Sequence, residues 1–141
     1  MKQKVFEELK KAMRNKDTLA KGVLTLLKAG LDRAEKEKGS ELTDQEAIAV
    51  VQREIKQTKQ AYEGAVKAGR EDLIENEKRK IDLLEQYLPA QMDESEAIMI
   101  LNDAGIKAGM NMGDAMKIAK PLLVGQVENA TIAKLVKSII N

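Results

Sequence analysis

The chain has 141 residues, 43% of them hydrophobic and 33% charged, with a net charge of +1. That length and apolar content suit one compact domain or a mid-sized domain with a small companion, and near-neutrality gives no global field toward nucleic acid or membrane. There is no Cys and no His, which excludes disulfides, thiolate metal sites, thiol catalysis and the commonest general base.

Apolar residues recur at helical spacing along almost the whole chain, and β-branched alternating runs are absent, so an all-α fold of seven helices is expected. The first helix is predicted at about 2–15, with Val5, Phe6, Leu9, Ala12 and Met13 on one face; Asn15-Lys16-Asp17 breaks it. The second spans about 17–37 on a stripe of Leu19, Val23, Leu27, Leu31 and Ala34, with Leu24 and Leu26 beside it, and Gly39 follows its end. "TDQE" at 43–46 has the form of a capping box and opens a third helix, whose stripe is Ile48, Val51, Ile55, Tyr62 and Val66. Gly69 marks its end, and a fourth helix at about 71–87 carries Leu73, Ile74, Ile81, Leu84 and Leu88. Two long helices joined by a tight turn predict a helical hairpin.

Pro89 lacks an N–H and disfavours helix at Leu88, so the fourth helix is expected to stop there. "DESE" at 93–96 then caps a fifth helix of about 93–107. A sixth is predicted at about 112–124 with Asn111 as cap, and a seventh at about 129–140 capped by Asn129. Helices after Pro89 are shorter and their loops Gly-marked ("AGIKAGMNMG", "VGQVENA"). The shift predicts an N-terminal domain of about four long helices (1–89) and a small three-helix C-terminal domain (90–141), with "YLPAQMDESEA" as a hinge and Tyr87 and Leu88 packed beneath it. No apolar run of 18 residues exists, and "MKQKVFEELKKAM" lacks the apolar core of a signal peptide, so a cytoplasmic location is expected.

The run "ELTDQEAIAVVQREIKQTKQAYEGAVKAGREDLIENEKRKIDLLEQYLP", with its "EIKQ", "AGREDL" and "LLEQYLPAQ", closely resembles the YqeY-like proteins of the GatB/YqeY family, and "MGDAMKIAKPLLVG" resembles the family's C-terminal segment. The resemblance covers essentially the whole chain. It implies an all-helical fold with a long-helix N-terminal part and a three-helix C-terminal part like the tail of GatB, a helical appendage that helps hold tRNA in a glutamine-dependent tRNA amidotransferase. Free-standing members are accordingly described as amidotransferase-related or as having glutamine-dependent carbon–nitrogen ligase activity. This sequence departs from the family after Pro121: members commonly carry basic residues there and an Ala-Asp-Gly turn, where this chain has Leu122, Leu123, Val124 and Val127-Glu128-Asn129.

Glutamine hydrolysis needs an activated nucleophile, and the only serines, Ser40, Ser95 and Ser138, have no His base; no phosphate-cradling Gly-rich motif is present. Independent catalysis is not expected, nor any cofactor. The acidic "DESE" and "GREDL" read as helix-start charges rather than metal ligands. Residues 1–38 hold 11 basic against 6 acidic side chains. Lys10, Lys11, Arg14, Lys16, Lys21 and Lys28 there, with Lys117 and Lys120 near the C-terminus, are the candidates for tRNA phosphate contacts. With only three aromatics, stacking of single-stranded bases is not expected. The alternative reading is a protein-interaction module, with a partner from amidotransferase or tRNA synthetase machinery. It would dock on Met112, Met116, Leu122 and Leu123, within a region holding five of the seven Met.

Overall fold

A computed structural model describes residues 1–141. The chain is all-α: α1 (Lys2–Arg14), α2 (Thr18–Lys38), α3 (Asp44–Ala68), α4 (Glu71–Glu85), α5 (Glu94–Asp103), α6 (Met112–Leu123) and α7 (Asn129–Ile140). It divides into two compact units, Met1–Leu88 and Pro89–Asn141.

In the first unit the caps are the ones the local sequence specifies. Asp17 accepts from the Ala20 N–H at 3.1 Å and starts α2. Thr43 and Glu46 form the reciprocal box at the start of α3, with Thr43 N–H donating to Glu46 Oε1 at 2.9 Å and Glu46 N–H to Thr43 Oγ1 at 3.2 Å. α2 and α3 end on Gly39 (φ 81) and Gly69 (φ 67), left-handed positions that any side chain would strain. α3 and α4 make the most extensive helix pair of the chain, followed by α1 with α2. The core is aliphatic, with Val5, Leu27, Leu31, Val51 and Leu84 at 2% exposure or less. Burying each such side chain contributes about 1.5–3 kcal/mol. Gly30 permits the close approach of α2 to α3: a β-carbon there would stand 3.2 Å from Val50 Cγ1.

Several faces differ from the stripes predicted. In α3 the buried positions are Ala47, Val51, Ile55 and Ala65, whereas Val66 is exposed. Ala47 and Ala65 are small, so a stripe drawn from bulky residues passes over them. Phe6 and Met13 of α1, Leu26 of α2 and Leu73 of α4 are likewise exposed rather than in the core. α4 stops at Glu85, two residues earlier than predicted. Tyr87 and Leu88 form a tight final turn, donating their N–H groups to Leu84 O and Glu85 O. Tyr87 packs into the core and Leu88 rests against it. No helix runs through 86–93.

In the second unit α5 is shorter than predicted, ending before Gly105 (φ 92), so that Ile106 turns inward and is 2% exposed. Asp93 caps α5 through the Glu96 N–H at 2.8 Å, and Asn111 caps α6 through the Gly113 and Asp114 N–H groups. Pro121 lies inside the last turn of α6, where it removes one backbone bond without ending the helix. Asn129 is not the cap of α7. Glu128 holds that position with no side-chain cap bond, and Asn129 is the first helical residue. The strand-like stretch before α5 is tied to the α6–α7 loop by Met92 N–H to Gln126 O at 3.0 Å and Gln91 Nε2 to Gly125 O at 2.8 Å. Ala97, Leu101, Ala115, Ala119, Leu123, Ile132 and Val136 are the fully buried core of this unit.

Candidate nucleic-acid interface

The α1–α2 pair gathers the basic residues. Lys2 reaches Asp32 at 3.1 Å and Glu35 at 2.6 Å, and Lys28 lies over the Phe6 ring, so α1 and α2 run antiparallel. That register brings the end of α1, with Lys10 and Arg14, to the start of α2, which carries Lys21. Lys11 and Arg14 occupy the last turn of α1, where cations also complement the helix dipole. Between the helices Lys16 holds the turn at φ 55, the only non-glycine residue with positive φ. A lysine there costs roughly 1 kcal/mol relative to glycine, yet it adds a cation at the corner.

Five of the candidates, Lys10, Lys11, Arg14, Lys16 and Lys21, have exposed side chains with no carboxylate within ion-pair distance. Lys10 Nζ lies 4.4 Å from the Phe6 ring centroid, an attraction that orients it without neutralising it. Lys28 differs: its ammonium is 2.9 Å from Asp32 Oδ2. Asp32 also holds Lys2, and hydrogen bonds from Lys28 first and Lys2 second keep its carboxyl below the ordinary range. Lys2 is raised by Glu35 first and Asp32 second. The corner is therefore a cluster of five free cations bordered by a compensated one.

Lys117 and Lys120 are exposed on α6 in the second unit. The apolar candidates separate by burial. Met112 and Leu122 are exposed, Met116 packs against the core, and Leu123 is 0% exposed, so Leu123 is not a docking residue. Helical geometry decides this: Ala115, Ala119 and Leu123 recur every four residues on the inward face of α6. Ser40 lies in the α2–α3 loop, Ser95 in the first turn of α5 and Ser138 in the last turn of α7. No three carboxylates cluster in a metal-binding arrangement, and no helix is long and apolar enough to cross a membrane.

Two features escaped the sequence reading. One is the exposure of Phe6 between Lys10 and Lys28, foreshadowed by the three residues falling on adjoining helix faces. The other is a groove among α2, α3 and α4, beside Leu19, Gly22 and Leu26. Gly22 and Leu26, four apart, share a face away from the stripe of α2, and that offset was the available signal.

The family model for the Yqey-like protein matches residues 2–140. A curated relative from Pyrenophora tritici-repentis, "Altered inheritance of mitochondria protein 41, mitochondrial", is 30% identical, over 80% of this chain and 67% of that protein.

Proposed function

The chain belongs to the YqeY-like family, and from that premise we propose that it is an amidotransferase-related accessory module that binds tRNA without catalysing a reaction on it. The observation that carries the reading is the α1–α2 corner, where five exposed cations make no ion pair and outnumber the one carboxylate of the turn, Asp17, which caps α2. A protein surface usually intersperses its signs; an uncompensated group of this kind is suited to phosphate. Phosphate contacts release condensed counterions and supply affinity without reading sequence. The Phe6 ring is occupied by lysine ammonium groups, which favours phosphate contact over base stacking.

Fluorescence anisotropy with labelled tRNA tests this. The expected result is binding whose log–log salt dependence has a slope between about −3 and −5, as five phosphate contacts predict. Arg14→Glu and Lys21→Glu should weaken binding and flatten that slope. Lack of affinity at low salt, or binding indifferent to both reversals, would sink the proposal.

A further inference from the structure

We propose that a second copy of the chain lays the acidic outer face of its α5 on the cationic α1–α2 corner. Residues 1–21 hold seven basic side chains against three acidic, and residues 10–21 hold five against one, Asp17, which caps α2. Lys10, Lys11, Arg14, Lys16 and Lys21 are exposed and make no ion pair within the chain. Two large apolar side chains are exposed beside them. Phe6 and Met13 lie seven residues apart, two turns along one face of α1, with Lys10 between them. Met13 is 54% exposed. The corner is an apolar pair set in unanswered positive charge.

α5 has the complementary pattern. It is the one helix of the chain with acidic residues and no basic one: Glu94, Glu96 and Asp103, all exposed and none in an ion pair. α5 buries Ala97 and Leu101. Helical spacing turns Met99 to the opposite side, with Glu96 three residues before it and Asp103 four residues after. Met99 is 66% exposed, the highest among the exposed large apolar residues. Each surface therefore has an apolar centre and a charged rim, and the two rims are of opposite sign. Met99 packs against Phe6 and Met13, a contact that suits thioether and ring, while Glu96 and Asp103 meet the unpaired cations. Charge excludes the exposed apolar residues of α6 from the same place. Ile118 and Leu122 stand beside Lys117 and Lys120, which carry the sign of the corner itself.

The corner and the α5 face are different surfaces, so the contact is head-to-tail. It closes as a reciprocal pair or continues into a longer oligomer. One helix face makes a small interface, so the association shows only at high protein concentration, and its charged rim makes it weaken with salt. The contact covers the cations assigned above to tRNA, so RNA and the second copy exclude one another; that exclusion, unlike the contact, rests on the tRNA reading.

Sedimentation equilibrium on RNase-treated protein at low salt, from tens to several hundred micromolar, tests the contact whether or not tRNA binds. The average mass is expected to rise above 15.6 kDa with concentration. Two double variants reverse one rim each: Arg14→Glu with Lys21→Glu, and Glu96→Lys with Asp103→Lys. All four positions are exposed, so helical content should be retained while association weakens at least roughly tenfold in each. Mixing the two double variants sets opposite signs together again at both contacts, and mixed association should return. Met99→Ser should weaken association without changing its salt dependence. Added tRNA, where anisotropy shows it bound, should dissociate the parent protein's oligomer. A mass of 15.6 kDa at every concentration, association that survives either double variant, or no recovery on mixing overturns the contact. Bound tRNA that leaves the association intact overturns the exclusion.

Discussion

Lys28 spends its charge on Asp32: the ammonium lies 2.9 Å from Oδ2 one helical turn away, and the same carboxylate holds Lys2 at 3.1 Å from its other oxygen. The pairing sets the edge of the proposed tRNA surface. Lys28→Gln should weaken tRNA binding less than Lys21→Gln, although both remove one positive charge. Asp32→Asn should strengthen binding about two- to fivefold at low salt, corresponding to the ~0.5–1 kcal/mol that an exposed ion pair is worth. Anisotropy titrations of the three variants check the order. Equal losses for Lys28→Gln and Lys21→Gln would place the RNA elsewhere.

Glu46 gives the first unit an acid-sensitive contact. Lys38, 2.5 Å away, and then the Thr43 backbone and side chain lower its pKa from 4.5 to about 2. A depressed carboxyl stabilises the fold above its unfolded pKa, and that contribution disappears as pH falls through the folded value. Glu46→Gln should therefore melt below the parent chain at pH 7, and the gap should close as pH falls from about 4.5 to about 2. A gap of constant size over that interval would show that the contact is not ionic.

Tyr87 has the opposite linkage. Burial first, and the Glu8 charge second, push its phenol up to about 12. A raised phenol leaves the fold untouched below pH 10 and removes stability as the unfolded chain ionises above it. The parent chain should lose stability between pH 10 and about 12, with part of that loss absent in Tyr87→Phe. The chain has two Tyr and no Trp, so phenolate absorbance follows the titration directly. The component near pH 12 should vanish in Tyr87→Phe.

Caps separate what could be read in the sequence from what could not. Thr43 with Glu46, Asp93 with Glu96, Asn111, Gly39 and Gly69 were legible because each is a contact within a few residues. Asn129 was not, because Asn suits both a cap and a first turn, and the chain path through the Val124–Val127 bridge decides between them. Asn111→Ala should cost about 1 kcal/mol, while Asn129→Ala should stay within ~0.5 kcal/mol. Thermal melts of the two variants check this; equal losses would return Asn129 to the cap.

The same limit applies to the candidate sites. The basic excess was legible in the composition, and so was the Lys28–Asp32 spacing. That α1 and α2 pair, bringing the cations of both helices to one end of the pair, follows from tertiary packing, which local pattern does not encode. The length of α5 depended on Gly105 taking a left-handed turn that brings Ile106 inward, a tertiary consequence.

Leu122 and Leu123 are neighbours in sequence with opposite roles: one is 42% exposed and the other 0%. Leu123→Ala leaves a cavity in the core of α5, α6 and α7 and should cost about 2–5 kcal/mol; Leu122→Ala should change stability by less than ~0.5 kcal/mol. Two spectroscopic signals locate the loss. Phe6, Tyr62 and Tyr87, the only aromatics, all lie in Met1–Leu88, so near-ultraviolet dichroism reports that unit alone, whereas far-ultraviolet dichroism reports every helix. In Leu123→Ala a minority of the helical signal, that of α5, α6 and α7, should melt early while the tyrosine signal keeps its midpoint. A tyrosine transition shifted in step with the helical one would mean that the two units unfold as a single cooperative body.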